Sequence, residues 1–171
     1  MCRCDDARVE ALAELLERHG LRLEIVPAGV PIPGSYWGAP EAGLIGDTLY
    51  ASAQTPVHSV LHEAAHYVCM SPGRRSALHT DAGGGFLEEA GVCYLQVLWA
   101  DALPGVGRRR LMADMDAWGY SFRLGSTQAW FERDADDARE WLERHGLIRD
   151  GRPTGRLREA PDPPAGAVEQ A

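Results

Sequence analysis

Residues 62–66 read His62-Glu63-Ala64-Ala65-His66. On a helix, positions i and i+4 lie one above the other on a single face, so the two imidazoles can grip one divalent metal. The glutamate between them falls beside the metal's open position, where a carboxylate can take a proton from water. The spacing therefore nominates His62 and His66 as metal ligands and Glu63 as a catalytic base. The bland alternative is a core-capping or solvated pair of histidines that happens to flank a glutamate.

The neighbouring residues predict the helix that this chemistry needs. Thr55 suits the N-cap and Pro56 the first helical position. Val57, Val60, Leu61, Ala64, Ala65 and Val68 recur at helical spacing, and Ser71-Pro72-Gly73 stops the run. His58 extends the histidine face by one more turn. Eight residues at about 1.5 Å each separate it from His66 by about 12 Å, too far for one metal, so it reads as a supporting or surface residue.

Two histidines need a further ligand. Glu88 and Glu89 open a mostly apolar helical stretch, Phe86-Leu87-Glu88-Glu89-Ala90-Gly91-Val92-Cys93-Tyr94-Leu95-Gln96. Acidic residues in a first helical turn are ordinary, because they favour the positive end of the helix dipole. His79 and Asp81, beside the glycine run at 83–85, are alternative ligands, or substrate contacts, or a plain polar loop.

The HExxH box followed by this acidic pair resembles gluzincin metallopeptidases, whose third ligand is a glutamate on the next helix. That resemblance implies Glu89 as the ligand, with Glu88 supporting it or standing in for it. A second resemblance rests on the run from Leu61 to Cys69 with Gly73-Arg74-Arg75 after it. It is similar to the elongation factor P hydroxylase family, although Tyr67 stands where that family usually has Trp. The likeness covers about residues 45–105. It implies non-haem iron held by the same two histidines and a glutamate. Zinc is the expected cofactor, with iron as the alternative.

Bulk properties fit a small enzyme. The 171 residues are 45% apolar and 25% charged, close to globular averages. Seventeen basic and 25 acidic residues give a net charge of −8, which argues against nucleic acid or an anionic membrane as partner. No apolar stretch approaches the about 18 residues of a membrane span. Met1-Cys2-Arg3-Cys4-Asp5-Asp6 has no apolar signal core, so a cytoplasmic location is expected. Of the four cysteines, Cys2 and Cys4 are too close for a typical bridge. Cys69 and Cys93 read as buried, reduced thiols.

Periodicity then lays out the elements that must position these groups. A helix is predicted over 6–19, a strand over 21–26, a loop over 27–43 and a second strand over 44–51. Helices are predicted over about 107–118 and about 127–145. Tyr120 and Arg123 lie between these last two. Either could stabilise an anionic intermediate or hold a carboxylate, and the plainer reading is a short strand with one exposed arginine. Asp134, Asp136 and Asp137 read as a solvated helix face. Residues 150–171, rich in proline and glycine, read as a disordered tail.

The expected fold class is thus α+β and zincin-like: a small sheet packed on the HExxH helix and on a second, ligand-bearing helix, in one domain over 1–149. The expected function is zinc-dependent hydrolysis of a peptide or protein substrate. Catalytic roles fall to Glu63 and Tyr120, and His62, His66 and Glu89 hold the metal. An iron hydroxylase acting on a protein, or a metal-binding module without turnover, are the alternatives.

Overall fold

A computed structural model describes residues 1–4 and 6–162 of the chain. The architecture is α+β. Helix α1 (Asp6–Glu17) leads to β1 (Arg22–Ile25). A long loop then reaches a hairpin of β2 (Gly43–Ile45) and β3 (Thr48–Ala51). Helices α2 (Val57–Cys69), α3 (Pro72–Ser76), α4 (Phe86–Trp99), α5 (Gly107–Trp118), α6 (Thr127–Arg133) and α7 (Asp136–Arg144) follow. A short hairpin of β4 (Ile148–Arg149) and β5 (Arg152–Pro153) comes last. Among the described residues, no helix is long and apolar enough to cross a membrane.

The first sheet runs β1-β3-β2, with β1 parallel and β2 antiparallel to β3. Leu49 and Ala51 on the central strand are fully buried. Helix α2 packs between this sheet and α4, and α4 packs between α2 and α7. Being covered on both sides explains why α2 is apolar nearly all round. From Val57 to Cys69, every residue except His62 and Glu63 is buried. The helix therefore opens toward solvent at the HExxH box.

Several sequence expectations need correction. Residues 44–51 form two strands, because Gly46 takes a left-handed φ of +57° and turns the chain. This makes β3 the central strand, and the outer edge of β2 bonds the 78–80 segment through Gly46 N–Leu78 O and Thr80 N–Leu44 O. The strand just before α2 is thus paired along both edges. Thr55 does not cap α2: its hydroxyl accepts from Ser52 N at 2.9 Å. Val57 N instead donates to Cys2 O of the N-terminal segment.

The predicted helix over 127–145 is broken at Asp134. That residue has φ −146°, and its carboxylate accepts twice from the Arg123 guanidinium, at 2.8 and 2.6 Å. A side chain engaged outside the helix, followed by Asp136 and Asp137 at a new helix start, favours two short helices. Residues 120–125 form no strand and end in a 3-10 turn.

The 27–42 loop is pinned against β2. A Cβ at Gly43 would stand 2.0 Å from Pro33 O, so only glycine lets the loop pass. Residues 150–162 are also packed, contrary to the disordered-tail reading. Asp150 and Gly151 both take positive φ and form the two-residue turn of the β4–β5 hairpin. Arg158 is 3% exposed. The rest of the predicted tail, 163–171, lies outside the described residues.

Candidate metal centre

His62 and His66 leave α2 toward Glu89 on α4, and their three donor atoms converge. His62 Nε2 and His66 Nε2 are 3.2 Å apart. Glu89 Oε1 stands 3.4 Å from His62 Nε2, and Oε2 stands 3.3 Å from His66 Nε2. One donor atom from each residue lies within 4.8 Å of the other two, close enough for all three to reach one ion. Two imidazoles and one carboxylate are also a suitable donor chemistry for it.

Gln96 holds the far nitrogen of His62, and sequence reasoning missed it. The Gln96 side chain, fully buried, accepts from His62 Nδ1 at 2.8 Å. Its amide nitrogen donates to Met115 Sδ at 2.9 Å, which fixes which end of the amide faces the histidine. The proton therefore sits on Nδ1 and the Nε2 lone pair faces Glu89. A signal was present, since Glu89 and Gln96 are seven apart on an otherwise apolar helix and so share a face.

Burial, and then the neighbouring His62, hold the His66 imidazole well below its ordinary pKa, in the neutral form that binds metal. Glu63 is pushed up to about 8 by burial first, and then by the carboxylates of Glu41 and Glu89. A divalent cation at the donor set would draw it back down. His58 is not a surface residue. It is 1% exposed, and both ring nitrogens lack a partner. Its ring lies 5.3 Å from Trp118 and 5.6 Å from Tyr120, and burial brings its pKa down to about 4.

Tyr120 reaches the site: its ring stands edge-on to His62 at 5.7 Å, and burial keeps its phenol protonated well above the ordinary range. Arg123 does not line the cleft and pairs with Asp134 at 2.6 Å. His79 is exposed and its ring bonds Thr80 Oγ1, outside the donor set. Asp81 lines the cleft but accepts from Gly83 N at 2.8 Å. Glu88 is not a ligand either. It turns to the back of α4, where Arg74 Nη2 donates to both its oxygens at 2.5 and 2.6 Å and Arg158 Nη1 donates at 2.9 Å.

The donors open into a cleft of about 470 Å³. Its walls include Tyr36, Trp37 and Trp118, with Trp37 79% exposed. Glu41 also lines it, a residue that nothing in the loop's sequence marked out. Burial raises its carboxyl, against a hydrogen bond from Trp118. Four carboxyl groups, Glu41, Glu63, Asp81 and Glu89, line the cleft, and among the described residues no arginine does. A cation there would draw the raised carboxyls of Glu41 and Glu63 toward their charged form. No protein-family model matches this chain, and no curated protein or solved structure matches it.

Proposed function

We propose that the chain is a zinc-dependent hydrolase of zincin-like, gluzincin-type architecture, cleaving a peptide or amide bond. The observation that carries this reading is the convergence of His62, His66 and Glu89 at the open point of α2, with Glu63 in the same cleft. Zinc bound there supplies Lewis acidity, which acidifies water and polarises an acyl oxygen.

The protein's own groups do the rest. Gln96 holds the proton on His62 Nδ1 and keeps Nε2 free. Glu63 takes a proton from the attacking water and passes it to the leaving amine as the C–N bond breaks. The protonated Tyr120 phenol donates toward the acyl oxygen as that atom gains negative charge. Tyr36, Trp37 and Trp118 offer apolar faces to the substrate's side chains.

The iron hydroxylase reading uses the same ligands on one face. Two histidines of an HExxH helix with a glutamate are a donor set of catalytic zinc sites, which is why zinc is put first. The test is hydrolysis of a mixed peptide library by the zinc-loaded protein. Cleavage that falls at least about 100-fold in Glu63→Gln, with zinc retained, is the expected result. Equal cleavage by Glu63→Gln, or none by the zinc-loaded wild type, would count against the proposal.

A further inference from the structure

We propose that residues 154–162 form a strap that sets the position of the third ligand, with Arg158 as the positioning residue. This rests on the metal-centre reading above. Glu89 lies in the first turn of α4, directly after Gly83-Gly84-Gly85. Gly85 occupies the N-cap and offers no side-chain cap. A helix start of this kind leaves its first amides without side-chain partners.

Glu88 supplies the missing anchor. Its buried carboxylate is clasped by Arg74 from α3 and by Arg158 from the strap. Successive side chains leave a helix about 100° apart, so fixing Glu88 also fixes the direction in which Glu89 leaves. The fit is close: a Cβ at Gly84, whose φ is +113°, would stand 2.8 Å from Glu88 Oε1.

Arg158 is itself tightly held. Its backbone N donates to Val68 O at 2.9 Å, and Nη1 donates to Cys69 O at 3.4 Å. Its guanidinium lies 5.4 Å above the Trp141 ring centroid. Arg75 binds the strap from the other side, donating to Arg158 O at 3.0 Å and to Met70 O at 2.7 Å. Asp162 accepts from Ser71 Oγ at 2.6 Å and from Arg74 Nε at 3.2 Å. The strap thus bonds the C-terminal end of α2 and the first turn of α4 at once. Those helices carry all of the proposed ligands.

The sign of the effect separates positioning from bulk charge. Removing a cation near the site would, through electrostatics alone, tighten zinc binding. Loss of positioning weakens it.

The test is zinc titration of the full chain against a chromophoric chelator, for the wild type, Glu89→Ala and Arg158→Met, with circular dichroism to verify folding. Arg158→Met is expected to bind zinc about 10-fold or more weakly than the wild type. Its cobalt(II) spectrum should shift toward that of Glu89→Ala. Equal or tighter zinc binding by folded Arg158→Met would overturn the strap alone. No zinc binding by the wild type would overturn the metal reading and the strap with it. Should Arg158→Met fail to fold, Arg158→Lys carries the test: it keeps the charge but loses the planar fork. Weakening by about threefold or more supports the strap, and wild-type affinity overturns it.

Discussion

The two faces of α4's first turn receive carboxylates that are neighbours in sequence and opposite in circumstance. Glu88 turns to the back, where its side chain is 6% exposed and two guanidiniums clasp it. Glu89 turns to the cleft, where its side chain is 49% exposed and faces two imidazole nitrogens. The chemistry of the side chains is identical. What differs is what the rest of the chain brings up against them, so one carboxylate serves the fold and the other is free to serve a metal.

The comparison breaks most visibly on stability. Glu88→Ala leaves Arg158 buried beside a void, and loss of one partner of a buried pair costs about 3–5 kcal/mol. Glu89→Ala, without metal, is expected to change stability by less than about 0.5 kcal/mol, as an exposed substitution should. Urea unfolding in the presence of a chelator reads both. Equal losses would erase the distinction between the two carboxylates.

The cleft side has an acid sensitivity that His58 shapes. Its folded pKa is about 4, against an ordinary 6.5. Between those values the unfolded chain binds a proton that the folded chain does not. Stability therefore holds above the upper value and falls as pH drops toward 4, by on the order of 2–3 kcal/mol. His66 is shifted in the same direction. The informative quantity is thus the difference between the wild type and His58→Leu, whose stability should fall less across that window. Parallel pH profiles would remove His58 from the account.

A smaller effect sharpens the cleft side further. Gln96→Leu keeps the volume but frees His62 Nδ1. Zinc affinity is expected to fall about 10–100-fold with the ligand set intact. Calorimetric titration with zinc would show this, and an unchanged affinity would mean that Gln96 does not orient the ligand.

The α2–α4 pair could be read in the sequence because its apolar residues recur at helical spacing and its polar exceptions stand out against them. His62, Glu63, His66 and Glu89 are such exceptions, and Gln96 was another. The rim of the cleft was not legible. Glu41 reaches it only because the 27–42 loop folds back across Gly43, a close approach between residues whose proximity no local pattern signals. The strap was misread for a related reason. Its proline and low apolar content resemble disorder, yet Arg158 is buried by a partner 70 positions away. The hairpin turns do carry local signals, in Gly46 next to Asp47 and Asp150 next to Gly151.

A divalent metal held by His62, His66 and Glu89, as proposed, can be counted. Elemental analysis of anaerobically purified protein, with His62→Ala and Glu89→Ala prepared alongside, tests that proposal most directly. About one zinc per wild-type chain is expected, lost or sharply reduced in both variants. A wild type that takes up no metal even after reconstitution would contradict it, as would variants that keep the full complement.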